Sequence, residues 1–180
     1  MRVLWLCLAS TVIGAGYPCA SLGTPTSQCP DGDVPVYATG DLNGDGRMDV
    51  VVAQSEVGIG QPPPPGGVRW FEAPADRSAR WIEHAVDAGF VDAHNLQIAD
   101  VDGNGTLDVV AGEQDQSENR RIAVFTNDGR GNFATVVLST DGSHNVVVAD
   151  ANGDGRLDVL AGGHGVFRDP NPLLVFMGRV

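Results

Sequence analysis

The chain has 180 residues, and 42% of them are hydrophobic, which is enough for one domain with its own core. Its formal net charge is −12, which argues against nucleic acid as a partner, and all eleven basic residues are arginine, which excludes lysine-based chemistry. The 24 glycines favour many short strands and turns over long helices.

Residues 1–20 are predicted to be a signal peptide. Arg2 precedes an apolar run of about eleven residues, too short for a membrane span, and small residues follow it at 14–16. Cleavage is expected near Gly16 or Ala20, so the protein is expected to be secreted and extracellular. A buried N-terminal strand is the alternative interpretation of the same run.

Residues 21–33 are rich in Pro, Gly, Ser and Thr and are predicted to form a linker. If cleavage falls near Gly16, Cys19 and Cys29 remain and could form a disulfide in an oxidising compartment. Lipidation of Cys19 is a minor alternative, because Pro18 is a poor neighbour for a lipoprotein site.

A nine-residue motif, Asp-x-Asx-Gly-Asx-Gly-x-x-Asp, then occurs three times, as loop 1 (41–49), loop 2 (100–108) and loop 3 (150–158). Side chains bearing oxygen occupy positions 1, 3, 5 and 9 of the motif. Glycines at positions 4 and 6 can adopt the positive φ that lets the backbone curl. Three copies in the same frame indicate a repeat architecture.

The oxygen atoms of this motif suit calcium, which takes six to eight oxygen ligands at about 2.3–2.6 Å. An EF-hand is excluded because it needs a Glu at position 12 and flanking helices, whereas position 12 here is Val52, Ala111 or Ala161. The loops therefore predict about three Ca²⁺ ions, with an Asx-rich turn that binds no metal as the alternative. The predicted ligands, with position 7 acting through its backbone carbonyl, are Asp41, Asn43, Asp45, Arg47 and Asp49; Asp100, Asp102, Asn104, Thr106 and Asp108; and Asp150, Asn152, Asp154, Arg156 and Asp158.

Short apolar runs recur in the same order around each loop and are predicted to be β-strands. The first run precedes the loop, the second follows it, the third ends in Phe, and a fourth appears in two of the three periods. Four antiparallel strands per period describe one propeller blade. The fold class is therefore predicted to be all-β, a partial β-propeller of about three four-stranded antiparallel blades with calcium loops between first and second strands. The predicted blades span about 34–87, 92–139 and 143–180.

The three loops, together with the run Val-Phe-Thr-Asn-Asp-Gly-Arg-Gly-Asn-Phe at 124–133, resemble FG-GAP/VCBS repeats. These repeats form β-propellers similar to the integrin α-subunit head, and the resemblance covers roughly 34–180. It implies calcium bound in the loop between the first two strands of a blade, and an extracellular binding or adhesion module. It does not name a ligand, because propellers host many functions.

Two His-Asn pairs, His94-Asn95 and His144-Asn145, each begin six residues before the first Asp of their loop. Strand alternation places both pairs on the face opposite the calcium loops, pointing towards the central channel. They are predicted to line a polar pocket for a ligand such as a sugar. In the alternative, each His side chain bonds the backbone of a neighbouring blade and serves packing.

The sequence as a whole predicts a secreted calcium-binding repeat module with a binding, adhesion or scaffolding role and a protein or glycan ligand. The alternative is a lectin-like propeller, or the non-catalytic propeller part of a polysaccharide-degrading enzyme. An enzyme is not predicted, because the chain has no Gly-x-Ser-x-Gly and no His-Glu-x-x-His motif. Neither nucleic acid nor a membrane span is expected.

The number of blades predicts open edges, because propellers usually close with four to eight blades and three loops are present. Either the chain is a fragment of a longer propeller, or a second copy closes a ring of six blades.

Overall fold

The computed structural model describes residues 36–53, 67–163 and 173–178. In these ranges the chain forms eleven β-strands and no helix, and so has no helix that could span a membrane. The predicted signal peptide (1–20), the linker (21–33), Cys19 and Cys29 lie outside the described residues.

The strands form three antiparallel sheets, which we call blades 1, 2 and 3 in chain order. Blade 1 contains β1 (Val36–Gly40), β2 (Asp49–Ala53), β3 (Val68–Glu72) and β4 (Ile82–Asp87). Blade 2 contains β5 (Ala93–Ala99), β6 (Asp108–Glu113), β7 (Ile122–Asn127) and β8 (Phe133–Ser139). Blade 3 contains β9 (Asn145–Ala149), β10 (Asp158–Gly162) and β11 (Leu173–Phe176) within the described ranges. This architecture confirms the predicted all-β fold of three antiparallel, propeller-like blades.

The three loops connect equivalent strands in the same register. The residue before each loop pairs with the last Asp of the loop: Gly40 with Asp49, Ala99 with Asp108, and Ala149 with Asp158. Position 9 of the motif is therefore also the first residue of the second strand in every blade.

The blades pack face to face through two apolar cores. One core lies between blades 1 and 2 and includes Val51, Trp70 and Phe125. The other lies between blades 2 and 3 and includes Val110 and Val159. Because successive strand residues point to opposite faces, β6 supplies Val109 to the first core and Val110 to the second, and all six of its residues are buried. Blade 2 is thus the central layer.

Gly40 allows blades 1 and 2 to approach closely. A Cβ atom built on Gly40 would lie 2.5 Å from Leu107 Cδ1 and 2.6 Å from Ile98 Cδ1, both in blade 2. A side chain at this position would require the side chains of Leu107 and Ile98 to move. The equivalent residues of blades 2 and 3, Ala99 and Ala149, carry a methyl group.

Candidate functional site

The last Asp of each loop (Asp49, Asp108 or Asp158) is fully buried and makes the same two hydrogen bonds in every blade. One carboxylate oxygen accepts the N–H of loop position 2, and the other accepts an N–H from the end of the third strand. The donors are Leu42 (3.0 Å) and Ala73 (2.8 Å) to Asp49, Val101 (2.8 Å) and Asn127 (2.9 Å) to Asp108, and Ala151 (2.9 Å) and Gly178 (2.8 Å) to Asp158. This side chain therefore ties the loop to the third strand of its own blade.

The buried carboxylates carry an electrostatic cost. Burial raises the pKa of Asp49, and the charges of Asp45 and Asp41 add to that rise, while the two N–H bonds oppose it. The pKa of Asp108 is raised in the same way, chiefly by burial and then by the charge of Asp102. A cation in the loop would lower the pKa of these carboxylates again, because a nearby positive charge favours the ionised form.

Loops 1 and 3 fold around the carboxylate of their first Asp. Asp41 Oδ1 accepts the N–H groups of Gly44 (2.8 Å) and Asp45 (3.1 Å), and its Oδ2 accepts that of Gly46 (2.8 Å). Asp150 accepts the equivalent three bonds in loop 3, at 2.6, 3.1 and 2.9 Å. Gly44 and Gly46 adopt φ of 75° and 82°, the left-handed conformation that turns these N–H groups inward.

Loop 2 holds its first Asp differently. Asp100 Oδ2 accepts the N–H of Gly105 (2.9 Å), but Asp100 Oδ1 is buried and has no hydrogen-bond partner. Oxygens of Asp100, Asp102 and Asp108 all lie within 4.8 Å of one another. In the described part of the chain, no other group of three or more His, Cys, Asp or Glu side chains converges in this way.

The oxygen atoms of loop 2 fit a hard divalent cation, because all three groups are carboxylates. In addition, Asp100 Oδ1 is buried and accepts no hydrogen bond. Calcium or magnesium therefore suits these residues better than a soft metal, which prefers thiolate or imidazole ligands.

The side chains at positions 3, 5 and 7 are ordered by one another. In loop 1, Arg47 pairs with Asp45, and its Nε donates to Ala73 O at 2.6 Å. In loop 2 the residue at position 7 is Thr106, whose hydroxyl lies 2.6 Å from Asn104 Oδ1. The remaining predicted ligands bond within their loops: Asn43 Oδ1 accepts Asp45 N–H (3.2 Å), Asn152 Oδ1 accepts Asp154 N–H (2.8 Å), and Asp154 Oδ1 accepts Arg156 N–H (2.9 Å).

Asn127 is a site residue that the sequence did not reveal. Its buried amide nitrogen donates to Leu42 O of loop 1 (2.7 Å) and to Leu107 O of loop 2 (2.9 Å). The backbone carbonyl of Asn127 accepts a hydrogen bond from Asn104 Nδ2 (3.1 Å) and lies 2.8 Å from Thr106 Oγ1. One residue at the end of β7 thus links two loops in different blades. The sequence signal was only an Asn-Asp-Gly turn, which carries no information about a neighbouring blade.

The structure brings the two His-Asn pairs together at the interface of blades 2 and 3. The rings of His94 and His144 lie with centroids 3.8 Å apart and planes tilted by 42°. Asn145 Nδ2 is 3.4 Å from His144 Nδ1, and Asn95 Oδ1 is buried without a hydrogen-bond partner. The pairs lie at the start of β5 and β9, whereas loops 2 and 3 follow the end of these strands.

A family model described as an FG-GAP-like repeat matches residues 41–111 and 100–161, which together span more than half of the chain. Each match begins at the first Asp of a loop and ends in the second strand of the following blade, so the matched unit contains two loops. Neither a curated protein nor a solved structure gives a significant match.

Proposed function

Since the chain belongs to the FG-GAP-like repeat family, we propose that it is a secreted binding or adhesion module whose blades are stabilised by calcium. The family supports the repeat-module role, because its repeats often serve binding or adhesion. The observation that carries the calcium part of the proposal is Asp100 Oδ1, a buried carboxylate oxygen without a donor, beside the carboxylates of Asp102 and Asp108.

Calcium would act on stability rather than on chemistry. An ion that binds only the folded loop stabilises the protein by mass action. In loop 2 it would offset the repulsion among three carboxylates and satisfy the buried oxygen. Because Asp108 also bonds the end of β7, the ion would hold the loop and the third strand in one arrangement.

The test is the melting temperature of the secreted protein, measured at constant ionic strength with excess calcium and again with excess chelator. Calcium is expected to raise the melting temperature, and Asp102→Ala is expected to reduce the rise. Asp76→Ala is the matched control, because Asp76 lies in the β3–β4 connection and bonds Ser78. A melting temperature that chelator leaves unchanged contradicts the proposal.

The number of ions is proposed to be three, one per loop. Calorimetric titration of the chelator-treated protein is expected to give three sites. Asp45→Ala, Asn104→Ala and Asp154→Ala are each expected to remove one. Removal of more than one site by a single substitution would show that the loops do not bind independently.

The secretion part of the proposal rests on the signal-peptide pattern of residues 1–20. The mass of the protein recovered from the medium tests it, since cleavage near Gly16 or Ala20 removes a defined segment. Recovery of the protein only inside the cell, with its N-terminus intact, contradicts it.

A second candidate function is recognition of a polar ligand such as a carbohydrate. Like the first candidate, it is a non-catalytic role. The specific observation that favours it is the contact between the rings of His94 and His144, beside Asn95 in the chain, whose Oδ1 is buried without a hydrogen-bond partner. Imidazole and amide groups can orient the hydroxyl groups of a sugar by hydrogen bonds.

A glycan array, read with the wild type and with a double His94→Ala/His144→Ala variant, tests this candidate. The wild type is expected to bind a restricted set of glycans, and the double variant is expected to lose that binding while keeping its melting temperature. His84→Ala is the matched control, because this histidine lies in blade 1 and pairs with Glu72. Binding that persists in a folded double variant rules out this pocket.

A further inference from the structure

Blade 3 presents an exposed apolar surface on its side away from blade 2. Leu160 in β10 stands opposite Val147 in β9 and Val175 in β11, so the three side chains form a row across the sheet. Leu173 lies on the same face, two residues before Val175. Val147, Leu173 and Val175 are 48%, 66% and 43% exposed. We call these four residues the open face of blade 3.

Three of these four positions are buried and apolar in blade 2, and the fourth, equivalent to Val147, is the half-buried Gln97. When the two blades are aligned on their loops, Leu160 corresponds to Val110, Val175 to Val124 and Leu173 to Ile122, and each set has the same register. Val110, Val124 and Ile122 are fully buried, and they form the core that receives blade 3. The open face of blade 3 therefore corresponds to the face of blade 2 that packs against blade 3.

Blade 1 presents the complementary surface on its side away from blade 2. Val50 and Val52 are half-buried there, and Tyr37 and Thr39 are exposed; we call these four residues the open face of blade 1. Their equivalents in blade 2 are Val109, Ala111, Leu96 and Ile98, which all pack against blade 1 in the first core. The open face of blade 1 thus corresponds to the face of blade 2 that packs against blade 1.

We propose that a second copy of this chain covers both surfaces, with the open face of blade 3 of each copy packed on the open face of blade 1 of the other. Both contacts would repeat the packing already present between blades 1 and 2 and between blades 2 and 3. Head-to-tail contacts of this kind close into a ring when the rotation permits.

Two copies of the three described blades make six, which lies within the range of four to eight blades that propellers use to close. A twofold ring of six blades would bury both open faces of each copy, whereas a monomer leaves a row of large apolar side chains in water, which is unfavourable. This proposal goes beyond the calcium-binding role, and calcium is kept in every sample so that the two are tested separately.

The test is the mass of the full secreted chain in solution, measured by light scattering after size exclusion over a range of concentrations. The wild type is expected to have the mass of two chains. Val175→Glu is expected to give a monomer, because it places a charge in an apolar contact. Val137→Glu is the matched control and is expected to remain dimeric, since Val137 is equally apolar and is 48% exposed on β8.

A mixing experiment separates this arrangement from other dimers. Tyr37→Glu, on the open face of blade 1, is also expected to give a monomer. A mixture of the Val175→Glu and Tyr37→Glu proteins is expected to recover dimers, because one of the two contacts in such a pair has neither substitution. Circular dichroism on each variant confirms that it is folded.

A wild type that stays monomeric at the highest concentration overturns the proposal, as does an open-ended series of larger assemblies. Val175→Glu that remains dimeric while folded overturns it too, and a mixture that stays monomeric excludes the head-to-tail arrangement.

Discussion

Loops 1 and 3 enclose their first aspartate in three backbone hydrogen bonds, whereas loop 2 leaves one oxygen of Asp100 buried and without a donor. The loops have the same length, the same glycines and three carboxylates each. Among the predicted ligand positions, loop 2 differs from loops 1 and 3 in the order of Asn and Asp at positions 3 and 5 and in the residue at position 7. The order of Asn and Asp within one motif therefore accompanies a difference in how far the loop satisfies the carboxylate of its first Asp.

What the three loops share is equally informative. The Asp at position 9 bonds loop position 2 and the end of the third strand in every blade, irrespective of the residues between. The motif thus combines a constant structural anchor at position 9 with oxygens whose hydrogen bonds vary between loops, and substitutions can test the two groups separately.

The largest effect is expected from removing the anchor. Asp108→Ala leaves the buried N–H groups of Val101 and Asn127 without an acceptor, which is expected to lower the free energy of unfolding by about 2–5 kcal/mol. Urea denaturation in the presence of chelator measures this cost apart from any ion. The control is Asp102→Ala in the same loop, because Asp102 is exposed and its loss is expected to cost less than about 1 kcal/mol under these conditions. Equal costs for the two variants would contradict the division of roles.

The next largest effect is expected at Asn127, which joins loops 1 and 2. Asn127→Ala removes the donor to Leu42 O and Leu107 O and is expected to lower the free energy of unfolding by about 1–3 kcal/mol. Asn132→Ala, at the exposed end of the same turn, is the control and is expected to cost little. A cost for Asn127→Ala no larger than that of the control would show that this bridge does not stabilise the blades.

Exchanging Asn and Asp tests the comparison of the loops directly. The double variant Asp102→Asn/Asn104→Asp gives loop 2 the order of loops 1 and 3 without changing its charge. It is expected to weaken calcium binding at this loop by about tenfold, or about 1.4 kcal/mol, because Asp100 can then accept the N–H groups of its own loop. Calorimetry on the wild type and the exchanged variant measures the difference. An unchanged affinity would mean that the buried oxygen of Asp100 does not govern binding.

The smallest effect is expected from the arginine at position 7 of loop 1. Arg47 pairs with Asp45, a predicted ligand, and both side chains are partly exposed, so the pair is worth about 0.2–1 kcal/mol. Arg47→Thr gives loop 1 the residue type of loop 2 and is expected to raise its calcium affinity by a few-fold at most. Arg77→Thr removes the same charge from an exposed turn and controls for net charge. A decrease in affinity would show that Arg47 orients Asp45 for the ion.

Much of the fold could be predicted because its signals are local. The Asx-Gly spacing specifies a tight loop, and alternating apolar runs specify strands. The third and fourth apolar runs of the second period lie within β7 (Ile122–Asn127) and β8 (Phe133–Ser139). The sequence also placed His94 and His144 at equivalent positions of successive blades, and their rings meet in the structure; their orientation towards a central channel stays a prediction.

Tertiary structure alone decided which partners the buried polar groups have. Nothing near Asp49 in sequence indicates that it accepts the N–H of Ala73, and the bond from Asn127 to Leu42 joins residues 85 positions apart. Gly40 likewise reveals its role only where Leu107 and Ile98 approach it from another blade. A hydrogen-bonding group is recognisable in a sequence, but its partner depends on how the blades stack, and that stacking follows from apolar burial over the whole chain.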